Sequence, residues 1–303
     1  MIETPNENAD SSLPLSPCSS HSPLVVDIGI NLTNKAFRKN WKSVIRRAID
    51  AGVQRIVLTG TSTQSSRESL RLAHEWYETE GTPNLCATVG IHPHDAKSWS
   101  DDNSNDTTLE ELKELLQDPL AVAVGECGLD YNRNFSSRSD QIRAFREQVK
   151  LAHELNYPIF VHEREAHGDL LRILDEIRSQ TNKIIEPPPS PSRVLPKIVV
   201  HCFTGTKEEA LAYIQRGYYL GFTGTICKKE RGAHLRKILP SLPLEKVMIE
   251  TDAPYMGFKK NQRFSEPANC VDVAKQLSES IDRPFEEVCK TTTQTAMEFF
   301  RLP

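Results

Sequence analysis

Four short apolar runs in this 303-residue chain each end on side chains with metal-ligating chemistry. Ala121–Val124 runs into Gly125 and Glu126, Ile159–Val161 into His162, and Ile198–Val200 into His201. Val247–Ile249 runs into Glu250, Thr251 and Asp252. A strand interior is apolar, so a polar ligand type just past its C-terminal end asks for a reason. One such residue is ordinarily a hydrogen-bonded rim group. Four at one level on separate parallel strands converge on one mouth. Glu126, His162, His201 and Asp252 then form a mixed nitrogen and oxygen shell for a divalent ion that holds water and substrate.

Other polar residues fall at the same level. Asp27, inside VDIGIN (26–31), either joins the site through its carboxylate, with Asn31 just beyond, or braces the barrel floor. His92 and His94, in GIHPHD (90–95), either contact phosphate and orient a ligand or follow a turn shaped by Pro93. Arg133 and Arg164 follow two of the ligand positions; they reach a substrate phosphate or pair with Glu163 or Glu165.

Stepping these residues into place requires strands. Apolar runs at Val25–Ile30, Arg55–Thr59, Leu85–Val89, Ala121–Val124, Ile159–Val161, Ile198–Val200, Tyr218–Phe222 and Val247–Ile249 alternate with segments of helical period. In Ser139–Leu155, for example, Ile142, Phe145, Val149, Ala152 and Leu155 recur at helical spacing and Pro158 stops the helix. Eight strands with crossovers predict an α/β fold of the (β/α)₈ TIM-barrel type; an open doubly wound sheet is the weaker alternative. The tail after Pro267 reads as two closing helices.

Composition bounds the rest. The chain is 38% apolar and 26% charged, enough for a sizeable core, and no run nears the ~18 apolar residues of a membrane span. Lys plus Arg number 37 against 41 Asp plus Glu, which argues against a basic coat for duplex binding but not against a local groove. Seven scattered cysteines without a CxxC pair predict a reducing compartment: cytoplasm, or nucleus. Residues 1–24, rich in Ser and Pro and lacking Lys and Arg, fit neither a secretory nor a transit peptide and read as a disordered extension before a domain over 25–303. Residues 186–196, with five prolines, read as a surface insertion.

Six ordered strings carry a family resemblance: DIGINLT (27–33), GIHPHD (90–95), VGECGLDYNRNFS (124–136), VHEREAH (161–167), VVHCFTGT (199–206) and IETDAPY (249–255). Together they closely resemble the TatD nucleases over about nine-tenths of the chain. The resemblance implies a metal-dependent deoxyribonuclease on an amidohydrolase-type barrel, working from the 3′ end of single-stranded DNA and also RNA. It places the metal ligands on Glu126, His162, His201 and Asp252, and His92 near the scissile phosphate. Two departures stand out. Gly29 and Asn31 occupy the positions of the HxH pair found in many barrel hydrolases, a change the TatD proteins share. Arg263–Pro267 keeps the family's glutamate and proline but not its asparagine.

The chemistry expected is phosphodiester hydrolysis with Mg²⁺ or Mn²⁺, one ion or two, and with Glu126 or Asp252 accepting the proton of the attacking water. Lys228–Arg231 and Lys259–Arg263 could track a single-stranded backbone, with Tyr131, Phe203 or Tyr255 stacking on bases. The expected partner is single-stranded DNA or RNA, with no membrane and a monomeric chain. A deacylase of aminoacyl-tRNA, or another ester or amide hydrolase, uses the same scaffold, and an inactive scaffold protein is the third reading.

Overall fold

The computed structural model describes residues 24–99, 107–183 and 196–302. Its elements alternate as β1 (Val25–Ile30), α1 (Trp41–Asp50), β2 (Val53–Leu58), α2 (Thr63–Glu80), β3 (Leu85–Val89), α3 (Thr108–Leu115), β4 (Ala121–Asp130), α4 (Arg138–Leu155) and β5 (Ile159–Arg164). They continue as α5 (His167–Lys183), β6 (Ile198–Val200), α6 (Lys207–Gln215), β7 (Tyr219–Phe222), α7 (Ala233–Ile238), β8 (Val247–Ile249), α8 (Cys270–Ile281) and α9 (Phe285–Phe300). The eight described strands run parallel in sequence order, β1 through β8. The barrel closes just above β1 and β8: Asp252 N–H donates to Gly29 O (2.9 Å) and Asn31 N–H to Ala253 O (2.7 Å).

Because helices cover the outer face, β1, β3, β6 and β8 are buried from end to end, as their nearly unbroken apolar sequences require. Two cores result. One fills the space between sheet and helices. The other fills the barrel with Val26, Ile28, Val57, Cys86, Ala123, Phe160, Val199 and Met248, and is plugged from the N-terminal end by Ala296, Phe299 and Phe300 of α9. Phe160 links the layers: its ring lies 6.4 Å from Phe300 below and stacks on His201 above at 4.5 Å.

Several strand limits differ from the sequence expectation. β2 starts at Val53 and stops at Leu58, and β7 starts at Tyr219. β4 and β5 continue to Asp130 and Arg164, so Glu126 and His162 lie within strands rather than just past them. An irregularity between Val124 and Cys127 re-registers the pair, after which Gly128, Leu129 and Asp130 pair with His162, Glu163 and Arg164. Helix α4 begins one residue early because Ser137 caps it, accepting from Asp140 N–H, and it stops at Asn156 in the left-handed conformation rather than at Pro158. Leu155 is exposed in that last turn. Residues 1–23 and 184–195, which contain most of the expected extension and proline insertion, lie outside the described residues.

Candidate metal centre

Glu126, buried at the centre of the barrel mouth, organises the site. Its Oε1 lies 2.8 Å from His201 Nε2, 2.9 Å from His162 Nδ1 and 3.2 Å from His92 Nε2. Two strands, β5 and β6, and the turn after β3 therefore aim imidazoles at one carboxylate oxygen. Asp252, just past β8, lines the same cavity of about 340 Å³, as do Asn31, His94, Arg133 and Arg164. Asn31 Nδ2 donates to Asp252 Oδ1 at 3.0 Å and so orients that carboxylate.

Asp27 does not join them. Val26 and Ile28 fill the barrel, so the residue between them faces the helical layer. There its carboxylate accepts from Thr251 Oγ1 (2.6 Å), Thr251 N–H (2.9 Å) and Gly29 N–H (3.3 Å), holding the turn after β8. Its contacts are those of a brace, but on the turn after β8 at the C-terminal end and not at the barrel floor.

Two buried acids that the sequence reading did not select stand behind the centre. Asp130 Oδ2 lies 2.8 Å from His94 Nε2 and 3.4 Å from His162 Nε2, while its Oδ1 accepts from the Asn132 and Arg133 N–H groups. Glu250 reaches His201 Nδ1 at 3.3 Å and accepts from Cys202 N–H. A Cβ on Gly29 would sit 2.6 Å from Glu250 Oε2, and one on Gly221 2.5 Å from Oε1. Glycine at position 29, where other barrel hydrolases begin their HxH pair, thus leaves room for this carboxylate.

The rim differs from expectation in its aromatics. Phe203 is buried against Tyr213 and Phe222 and offers no stacking face. Tyr131 has Arg138 over its ring at 4.2 Å and donates its hydroxyl to Asp169. Tyr255 lines the cavity, half exposed, and Phe135, which the sequence reading passed over, stands 59% exposed and edge-on to His94 at 4.8 Å. Among the described residues the guanidinium groups of Arg133 and Arg164 contact no carboxylate, whereas Lys259 pairs with Asp272 at 2.6 Å. Glu266, the retained family glutamate, is held by Arg47 through two hydrogen bonds, away from the cavity.

Burial and mutual charge set the protonation of the cluster. Burial alone would raise the Glu126 carboxyl, but the surrounding His201, His92 and His162 outweigh it and hold the group well below the usual range. Burial opposes charge on His162 and His201, yet Asp130 and Glu126 raise the first, and Glu126 and Glu250 carry the second well above an ordinary histidine. Burial pushes Asp252 up to about 7 and lowers His92. Two raised imidazoles around a depressed carboxylate are protons standing where a cation would be favoured. His162 Nε2 is also buried without a well-formed hydrogen bond. Ligand atoms of His92, Glu126 and His162 come within 4.8 Å of one another, so the donor set fits a metal ion.

A parallel eight-stranded barrel with histidines and carboxylates at its C-terminal mouth defines a barrel hydrolase. Comparison with known proteins sharpens this. A family model described as TatD related DNase matches residues 26–301. A "3'-5' ssDNA/RNA exonuclease TatD" from Shigella flexneri is 40% identical over 257 residues, 83% of this chain and 89% of the relative. Among solved structures, a TatD-family hydrolase from Entamoeba histolytica superposes with a TM-score of 0.79 at 25% identity, covering 93% of this chain and 99% of that one. The Escherichia coli TatD homologue YJJV gives 0.77 at 27%, with 92% and 98% covered. The chain belongs to the TatD related DNase family.

Proposed function

We propose that this chain is a divalent-metal-dependent hydrolase of phosphodiesters, removing nucleotides from the 3′ end of single-stranded DNA, and of RNA. The convergence of His162 and His201 on Glu126, in a cavity shared with Asp252 and two arginines, carries the reading. The 3′ polarity and the choice of strand rest on the relatives at about 40% identity.

Glu126, His162, His201 and Asp252 are the proposed ligands, and their carboxylates favour Mg²⁺ or Mn²⁺. When bound, the ion would polarise a phosphate oxygen and lower the pKa of water. His92, whose ring nitrogen clusters with the Glu126 and His162 ligand atoms, is proposed as a donor to the substrate. Its Nδ1 accepts from His94 N–H at 3.0 Å, which leaves the proton of a neutral ring on Nε2, pointing into the site. Asp252 is the proposed general base: in the metal-free protein burial raises its carboxyl to about 7, whereas Glu126 is held well below the usual range. Arg133 and Arg164 meet the developing negative charge. Phe135 and Tyr255 offer faces to unpaired bases.

The proposed acting form is a monomer. No described helix is long and apolar enough to cross a membrane. A reducing cytoplasmic or nuclear setting is proposed from the scattered cysteines without a CxxC pair. Product analysis tests the reaction. Single strands digested with Mg²⁺ should yield mononucleotides, whereas release of an acyl group from aminoacyl-tRNA with DNA left intact would point to the deacylase reading.

A further inference from the structure

A second groove, of about 410 Å³, opens beside the catalytic cavity and is joined to it through Thr204, which lines both. Its walls are the turn after β6, from Thr204 to Lys207, and the outer side of α7 with His234, Lys237 and Ile238. The two walls are tied together where His234 Nε2 meets Thr204 O at 3.2 Å. No acid lines the groove. Glu208, next to Lys207, is exposed and outside the lining, and Glu209 is turned back to accept from Thr206 N–H.

Like most of the described lysines, and unlike Lys42, Lys113, Lys150 and Lys259, Lys207 and Lys237 hold no carboxylate among the described residues. The loop before α7 adds charge of the same sign. Arg236 donates to the carbonyls of Ile226, Lys228 and Lys229, fixing that loop, and burial together with Arg231 lowers Lys228. Uncompensated cations beside a phosphodiesterase cavity call for an anionic occupant that continues out of it.

We propose that this groove carries the phosphates of the single strand immediately 5′ of the scissile bond, with Lys207 and Lys237 as their counter-charges. This rests on the 3′-exonuclease reading: the terminal nucleotide enters the cavity, and the rest of the strand leaves over Thr204. The two lysines act on binding of the strand and not on the reaction at its end.

Substrate length separates that role from a general one. The full-length protein and its Lys207→Ala/Lys237→Ala variant would be assayed with Mg²⁺ on a dinucleotide and on a strand of about twelve nucleotides, over a range of salt. The variant should raise KM for the long strand on the order of tenfold with kcat unchanged, and leave the dinucleotide unaffected. The slope of log kcat/KM against log salt should become shallower by about 1.4 for the long strand, the loss of two phosphate contacts. Both lysines are exposed, so folding is not at issue, and Lys207→Glu/Lys237→Glu should deepen the effect. Equal loss on both substrates, or an unchanged long-strand KM and salt slope, overturns the groove while leaving the activity standing. Failure of the unmodified protein to cleave either substrate overturns the activity and the groove with it.

Discussion

Nε2 of His201 lies 2.8 Å from Oε1 of Glu126, and that oxygen also faces His162 and His92. One acceptor serving three imidazoles is stable only while positive charge stays between them, as protons or as a metal ion. Glu126→Gln removes the centre of that arrangement. Cation affinity should fall by more than about 100-fold, beyond what loss of an outer partner costs. Calorimetric titration with Mn²⁺ measures it; unchanged affinity would move the metal elsewhere.

Protons compete with the cation at His162 and His201, both raised above the ordinary histidine value. Metal binding must displace them, so affinity should rise with pH through and above that value. Roughly one to two protons should be released per ion at neutral pH. Titrations in two buffers of different ionisation enthalpy count them, and no buffer dependence would show that the imidazoles bind as they stand.

Asp27 gives the metal-free protein a pH-dependent stability. Burial raises its carboxyl from 3.8 to about 8, against the opposing hydrogen bonds from Thr251 and Gly29. The protonated form therefore stabilises the fold: the contribution is complete below the unfolded value and is lost as pH rises through the folded one. In EDTA, Tm should fall between about pH 5 and about pH 9 more steeply for the unmodified protein than for Asp27→Asn. Parallel Tm curves would count against this assignment.

Two phenylalanines near the mouth should behave in opposite ways. Phe203→Ala empties a buried site and should cost about 3–5 kcal/mol of stability. Phe135→Ala should leave Tm nearly unchanged but raise KM for single strands about 5- to 100-fold, the loss of one stacked base. A Phe135 variant with unaltered KM would remove the stacking role.

How far the sequence could be read followed from strand chemistry. The apolar runs located every strand, and the polar residue ending each run located Glu126, His162, His201 and Asp252 in one cavity. Asp130 escaped because Gly125 and Glu126 interrupt the run, so β4 seemed to stop at Val124. Period-two counting onward from Glu126 reaches Gly128 and Asp130 and would have found it. Glu250 sat in view beside Asp252, but the space it needs is made by Gly29 and Gly221, distant residues that no local pattern connects to it. Whether Phe203 or Phe135 meets solvent depends on packing against Tyr213 and Phe222, which the sequence does not display.

The central claim is metal-dependent removal of 3′ nucleotides by a site centred on Glu126 and Asp252. Single-stranded DNA labelled at the 3′ or the 5′ end, digested with Mg²⁺, Mn²⁺ or EDTA, tests it directly, with Glu126→Ala and Asp252→Ala in parallel. Immediate loss of the 3′ label and a ladder from the 5′ label, abolished by EDTA and by both substitutions, is the predicted result. Cleavage that survives either substitution, or no cleavage with any metal, would contradict it.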